Sequence, residues 1–335
     1  MSYCEVVIAA DGTCLQLLRT EFPDLGYLAT PAYDIKYSKN SKWLKWKLIG
    51  QMPSMLSTIK EEHKWLKKVL KEYSIDIVIS DNRFGMYSKK VPCFYITHQL
   101  GIKTGDKLTE KMLRKMHYSV IKKYSQCWVP DSASSGIAGE LSHPNKLPEN
   151  VKYLGPISRF DARQEKIVYD LLVILSGPEP QRTILERKLI DELRIFNGRC
   201  VFVRGTNGNV PGDLKSQSIE VLNIATAQEL NDLVLKSEMV ISRSGYTTVM
   251  DLIKLNKKAI LIPTPGQTEQ EYLAKHLAEQ GIFYCINQKE FSLSKALDNA
   301  KTFNYSFPRY EWGHYKDVIA DALSVVRLKN SLPLL

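Results

Sequence analysis

Short apolar runs alternate with amphipathic stretches along most of the chain, the pattern of parallel strands with helices packed on both faces. In the first half the runs Glu5–Ala10, Ile75–Ser80, Cys93–Thr97 and Gln126–Val129 predict strands. Long helices are expected near Lys42–Tyr73, broken at Pro53, and over Leu108–Lys123. In the second of these, Leu108, Met112, Leu113, Met116, Val120 and Ile121 recur at the spacing of one helix face. Glycine and proline interrupt Asn150–Asp161, where a boundary is expected. Beyond it, strands are predicted at Leu171–Leu175, Cys200–Arg204, Ser218–Leu222, Met239–Ser242, Ala259–Pro263 and Phe283–Ile286, with a last helix about His314–Leu328.

Size and composition agree with two globular domains: 335 residues, of which 44% are hydrophobic and 24% charged. No apolar run approaches the length of a membrane span, and the start lacks the basic and apolar regions of a signal peptide. Six scattered cysteines without a CxxC pair read as thiols of a reduced compartment, so a cytoplasmic location is expected and a zinc site is not. The net charge of +10 favours polyanions. No compact basic stripe or known nucleic-acid module accompanies it, and a nucleic-acid partner is not expected. The mixed lysine and tryptophan segment Lys42–Ile49 reads first as an amphipathic helix docked on its own sheet, with an anionic membrane surface as the alternative.

The chemistry concentrates in Val240–Glu279. There a strand leads into Ser242-Arg243-Ser244-Gly245 and a helix opening with Thr247 and Thr248. A second strand leads into Pro263-Thr264-Pro265-Gly266-Gln267 and a helix opening at Thr268. Two helix N-termini at the carboxyl ends of buried strands present backbone N–H groups to one crevice, which suits a diphosphate. Ser176 and Gly177 form a comparable strand–helix turn, with a plain turn as the alternative. Arg204 and Gly205 end the next strand, where the arginine offers a donor fork to phosphate or uracil or is a surface residue. Asp251 lies one turn into its helix, a place the helix dipole alone also favours for an acid. Thr268-Glu269-Gln270-Glu271 has the text of a capping box, in which Glu271 reaches back to the Thr268 amide. Asp81 and His98 end first-half strands, where ligands of open parallel sheets bind, so either can serve as a general base or stay structural. The absence of DxD argues against a metal-bridged diphosphate, and the absence of GxGxxG against a nicotinamide cofactor. Neither a metal nor a cofactor is expected.

The ordered set Ser242-Arg243-Ser244-Gly245, Thr248, Asp251, Pro263 to Gly266 and Gln270-Glu271-Tyr272 resembles the donor site of the N-acetylglucosaminyltransferase family that forms lipid II. The resemblance implies an α/β GT-B fold: two Rossmann-like domains with parallel sheets facing a cleft. It divides the chain into an acceptor-side domain (1–154), a nucleotide-sugar domain (155–313) and a C-terminal helix (314–335) crossing back. It implies inverting, metal-independent transfer from a UDP-sugar, with N-acetylglucosamine the leading donor, to a lipid-linked or saccharide precursor of the cell envelope at the cytoplasmic face of the membrane. Donor contacts are expected from Arg159, Ser176, Gly177, Arg204, Gly205, Ser244, Gly245, Thr247, Thr248, Asp251 (to ribose), Gln267, Thr268, Gln270 and Glu271. By the same resemblance Glu5–Gly12 is the second strand of its domain, and the strand, glycine–histidine loop and helix expected ahead of it are not in this sequence. Three alternatives stay open: a nucleotide-sugar hydrolase or epimerase of the same fold, a non-catalytic UDP-sugar-binding subunit, and a basic membrane-surface or nucleic-acid binder.

Overall fold

The computed structural model describes residues 4–32, 44–206, 208–209 and 218–331. Lys42 and Trp43 of the lysine–tryptophan segment lie outside these residues. The first half comprises β1 (Val7–Ala10), α1 (Gly12–Glu21), β2 (Gly26–Ala29), α2 (Leu44–Glu72), β3 (Val78–Asp81), β4 (Cys93–Ile96), α3 (Lys107–Ile121), β5 (Gln126–Val129) and β6 (Val151–Tyr153). The second half holds β7 (Tyr169–Ile174), α4 (Gln181–Leu193), β8 (Cys200–Val203), β9 (Ile219–Leu222), α5 (Ala227–Lys236) and β10 (Ser237–Ser242). It continues with α6 (Tyr246–Lys254), β11 (Ala259–Leu261), α7 (Thr268–Glu279), β12 (Tyr284–Cys285), α8 (Leu293–Thr302) and α9 (His314–Ser331).

Every strand pairing among the described residues is parallel. The second-half sheet runs β12-β11-β10-β7-β8-β9, the doubly wound order in which the chain starts at the centre and reverses direction once. Its central strand is buried on both faces: Leu172 joins one apolar cluster, Leu171 and Val173 the other. Each such side chain contributes about 1.5–3 kcal/mol on burial, which is why β7 reads as a continuous apolar run and not as an alternation. In the first half β1 pairs with β2, and a separate sheet runs β3-β4-β5-β6. From the far end of the chain, Val318 and Ala322 of α9 pack on Phe94, Trp128 and Leu154 of the first half.

The structure corrects the sequence reading in three places. Strand β2 was not expected, and β6 falls inside the stretch read as a boundary; each has four residues or fewer and lies at a sheet edge, too short to show a period. Helix α2 runs through Pro53 without a break. Proline removes one helical N–H, and the helical pattern on both sides carries the element across it.

Candidate active site

The winding of the second-half sheet reverses between β7 and β10, so the loops leaving their carboxyl ends separate and open a crevice. Three loops meet there: Leu175–Pro180 after β7, Arg243–Gly245 after β10 and Ile262–Gln267 after β11. Arg243 ties them together. Its guanidinium is 1% exposed and donates to the carbonyls of Ile262 (3.3 Å), Pro263 (3.2 Å) and Gln181 (2.9 Å). Burial pulls its pKa down to about 10.

Gly245 caps α6 with no side chain of its own, no acidic residue follows in the first turn, and a Cβ built on it would meet nothing within 4 Å. The N-terminal amides of α6 therefore face open space with the positive end of the helix dipole behind them. Two helices away from the crevice are capped by side chains, Thr226 forming a full capping box with Glu229 on α5 and Asp106 accepting from the Thr109 amide on α3, whereas α1 and α8 have no side-chain cap. Ser176 and Gly177 are exposed at the crevice, with Gly177 at φ +101. Beside Gly177 lies Thr264, 1% exposed, whose hydroxyl has no hydrogen-bond partner. Gln267 Oε1 is likewise buried without a partner. Unpaired buried acceptors and donors are costly in a folded chain. Thr247 is exposed and Thr248 half-exposed on the same turn.

Several expected donor contacts are instead internal. Arg204 is 4% exposed and bound by Glu186 (2.6 Å), Asn223 (2.8 Å) and the carbonyl of Gly208 (2.7 Å), so its fork is already filled. Gly205 is a glycine for packing: it sits at φ +67, and a Cβ there would come within 2.4 Å of the Leu175 carbonyl oxygen. Gly205→Ala should destabilise the protein by about 2–4 kcal/mol through the clash and the left-handed backbone, measured as a lowered urea midpoint. The Ser244 hydroxyl donates to the Gln270 carbonyl (2.9 Å). Gln270 accepts the Thr264 amide (2.9 Å) and so fastens the loop. The capping box expected at Thr268 is absent. Gln267 is the N-cap of α7, the Glu271 carboxylate accepts the Gly266 amide (2.8 Å), and the Thr268 hydroxyl donates to the Lys103 carbonyl (2.6 Å). With Glu269 and Glu271 in its first turn, α7 offers an anion a weaker seat than α6.

Asp251 and Arg159, distant in sequence, come together at 3.5 Å. Asp251 is 3% exposed and also accepts from the Ser158 hydroxyl (2.7 Å). Burial raises its carboxyl above the ordinary 3.8, while Ser158 and Arg159 pull it back. Ser158 carried no signal in the sequence beyond its place beside Arg159.

The first half meets this crevice through His98. Its ring stacks on Tyr246 at 4.2 Å, and Nε2 lies 2.6 Å from Glu269 Oε1. Gln99 donates to the other oxygen of the same carboxylate. The Tyr246 hydroxyl donates to the Pro130 carbonyl (2.9 Å), and the Glu140 amide donates to the Tyr272 hydroxyl (2.8 Å), so α6 and α7 are both pinned to the first half. Asp81, at the carboxyl end of β3, is exposed to solvent. Loss of bulk water around its carboxyl raises the pKa above 3.8, and the nearby His98 charge opposes that shift. Among the described residues no group of three His, Cys, Asp or Glu side chains is placed to hold a metal ion.

Residues 200–308 match the glycosyltransferase family 28 C-terminal domain. That domain holds α6, α7 and the loops between them. A UDP-N-acetylglucosamine–N-acetylmuramyl-(pentapeptide) pyrophosphoryl-undecaprenol N-acetylglucosamine transferase from Haemophilus ducreyi is 27% identical over 152 residues, 43% of this chain and 42% of that protein. An uncharacterized glycosyltransferase from Methanosarcina acetivorans is 23% identical over 239 residues, 64% of this chain and 61% of that protein. The match thus spans less than half of the first relative and less than two thirds of the second. Among solved structures, a spinosyn forosaminyltransferase aligns over 96% of this chain and 91% of its own, with TM-score 0.57 and 12% identity. A UDP-GlcNAc 2-epimerase from Neisseria meningitidis bound to UDP-GlcNAc aligns over 95% and 99%, with TM-score 0.55 and 12% identity. The fold is GT-B, and the residues similar to the family 28 C-terminal domain include the β10 and β11 sides of the crevice.

Proposed function

We propose that the protein is a glycosyltransferase that moves a sugar, N-acetylglucosamine first among the donors, from UDP to a hydroxyl of a lipid-linked or saccharide precursor of the cell envelope. Residues 155–313 hold the donor and residues 1–154 the acceptor side. The reaction runs with inversion and without a metal, at the cytoplasmic face of the membrane. The observation that carries this reading is the open N-terminus of α6 at the point where the sheet reverses, unfilled by any side chain at Gly245. The donor and acceptor classes follow the relative from Haemophilus ducreyi, whose name states both.

In this reading the α6 amides take the diphosphate, and Thr247, Thr248, Ser176 and the unpaired Thr264 hydroxyl line its seat. Arg159 and Asp251 take the ribose. Asp81 removes the proton from the acceptor hydroxyl as its oxygen attacks the anomeric carbon. The bond to UDP breaks, and the negative charge leaving with the diphosphate is met by the α6 dipole. His98, held between Tyr246 and Glu269, fixes the first half against α6 and α7 and acts as a positioning residue.

Gly245→Ala tests the reading directly. The backbone at Gly245 is at φ −73, which alanine adopts freely, and the space beside it is open. Stability should change by no more than about 0.5 kcal/mol. The added methyl occupies ligand space, so calorimetric affinity for UDP-N-acetylglucosamine should fall at least about tenfold, about 1.4 kcal/mol, with ATP as the control nucleotide. Unchanged affinity in a folded Gly245→Ala variant would rule out the α6 seat.

A further inference from the structure

The chain bends sharply where β3 ends. Asn82, directly after Asp81, holds φ +53, in the left-handed region that non-glycine residues rarely adopt and asparagine tolerates. Among the described residues one other non-glycine residue, Asn256, has a positive φ (+48), and it closes α6, where helices commonly stop in this conformation. No helix ends at Asn82. The bend is tied down on both sides. The Asn82 amide donates to the Ile96 carbonyl (3.0 Å), which extends the pairing of β3 with β4. The Ser80 and Tyr124 hydroxyls both donate to the Arg83 carbonyl, each at 2.7 Å. Arg83 Nε donates to Glu62 (2.6 Å), a fully buried carboxylate that also accepts the Gly85 amide (2.9 Å).

The Asn82 side chain is held from beneath. The Tyr95 hydroxyl donates to Asn82 Oδ1 (2.7 Å) and lies 3.2 Å from His117 Nε2. With its proton given to asparagine, the hydroxyl oxygen accepts from the imidazole, so the ring carries its proton on Nε2, and Nδ1, a bare acceptor, is buried without a partner. Tyr95 is fully buried and His117 nearly so, with the Phe84 ring edge-on to the imidazole at 5.4 Å. Burial pulls the His117 pKa down to about 4, so the ring is neutral at neutral pH and keeps this single N–H. Two buried polar side chains thus direct their hydrogen bonds to an exposed one. Apolar side chains of the same shape would serve stability nearly as well. What the pair adds is orientation: the carboxamide oxygen of Asn82 is fixed inward, and its N–H2 group is the end left to the exposed side.

Asp81 and Asn82 are consecutive and both exposed. Asp81 is near enough to His98 for their charges to interact, and His98 stacks on Tyr246, the first residue of α6. An acceptor and a donor therefore stand next to the residue through which the first half meets the crevice. A saccharide offers a matching pair, a hydroxyl and an oxygen on the adjacent carbon. We propose that Asn82 is a second acceptor-binding residue: its carboxamide N–H2 donates to the oxygen next to the reacting hydroxyl while Asp81 takes that hydroxyl's proton, and Tyr95 and His117 are positioning residues that hold the carboxamide for it. The inference rests on the reading of Asp81 as the base.

Kinetics in both substrates test this at a pH above the folded pKa of Asp81. The probes are UDP-N-acetylglucosamine as donor and N-acetylmuramyl-(pentapeptide) pyrophosphoryl-undecaprenol as acceptor. Asn82→Gly suits the left-handed backbone and removes the carboxamide, whereas Asn82→Asp keeps an oxygen for Tyr95 and removes the N–H2 donor. Both should raise KM for the acceptor about tenfold, the loss of one hydrogen bond, with KM for the donor unchanged. A merely structural loss would move both KM values or neither. Tyr95→Phe should raise the acceptor KM about threefold, and add nothing when combined with Asn82→Gly. An unchanged acceptor KM in both Asn82 variants, with Asp81→Asn inactive, would overturn the role of Asn82 and leave that of Asp81. Effects of Tyr95→Phe and Asn82→Gly that add in full would overturn the relay. Full activity in Asp81→Asn, or no transfer to this acceptor by the parent chain, would remove the underlying reading and the inference with it.

Discussion

Asp81→Asn should lower kcat by about 10²–10⁴ while leaving affinity for the UDP-sugar within about twofold, the signature of a lost general base. Asp81 is the last residue of β3, near enough to His98 for their charges to interact, and the residue is exposed to solvent. Its pKa lies above the ordinary 3.8 because the surrounding protein disfavours the charge. A carboxylate so raised is a stronger base than a free one and is still ionised at pH values above its folded pKa. The sign of the pH dependence follows: kcat/KM should fall as pH drops through that raised value, and this acid limb should vanish in Asp81→Asn. Stability should not fall with it. A carboxyl raised in the folded state stabilises the fold most below the unfolded value and loses that contribution as pH rises through the folded value. Asparagine removes a charge that the surrounding protein disfavours, so the variant should be at least as stable at neutral pH. His98→Gln is the comparison. It keeps a hydrogen bond to Glu269 and should change KM more than the acid limb. If instead His98→Gln abolishes the limb and Asp81→Asn does not, the base is the histidine.

The architecture was legible because its signal is long and repeated. Runs such as Leu171–Leu175 and Cys200–Arg204 are apolar throughout, as strands buried on both faces must be, and the structure places them at the centre of the sheet. Strand β6 and the run of α2 through Pro53 were not legible, because three residues show no period and a proline inside a helix differs locally from one that ends it. Capping shows the same limit more sharply. Thr226-Ala227-Gln228-Glu229 and Thr268-Glu269-Gln270-Glu271 share the spacing of a capping box, yet only the first forms one. At the second, the preceding loop turns its Gly266 amide toward Glu271, and the lysine carbonyl at 103 takes the Thr268 hydroxyl. Both competing partners come from tertiary structure, which spacing does not encode. At the crevice the sequence located the loops but not the office of each residue. Gly245 borders open space and Gly177 faces the Thr264 hydroxyl, whereas Gly205, a glycine at the end of the neighbouring strand, is fixed by the Leu175 carbonyl. Glu269, which joins His98 and Gln99 to α7, was visible only as one letter of a capping text.

Glu186→Leu should cost about 3–5 kcal/mol, the usual loss when one member of a buried ion cluster is removed. Glu186 is 5% exposed and accepts from Arg204 Nε at 2.6 Å and from Arg182 Nη1 at 3.0 Å, two guanidiniums almost as buried as itself. Leucine fits the volume but leaves both cations short of a counter-charge in a medium that does not solvate them. Arg182 keeps Glu179 at 2.7 Å, and Arg204 keeps Asn223 and the Gly208 carbonyl, so the loss should not exceed the single-partner range. The variant Glu186→Leu combined with Arg204→Met should recover part of it, with a coupling of about 0.5–3 kcal/mol, because one stranded charge is gone. Urea unfolding measures both, as a shift in midpoint at constant slope. A single-variant cost below about 1 kcal/mol would mean that the remaining partners satisfy the two arginines unaided. The cluster also bears on ligand binding, since Arg182 donates to the Arg204 carbonyl at 3.3 Å and the next residue, Gly205, abuts Leu175 at the root of the Ser176–Gly177 turn. Nucleotide affinity of the folded single variant should therefore fall, and the double variant should regain it in step with its stability. Affinity lost in the double variant despite restored stability would instead give Arg204 a direct part in holding the donor.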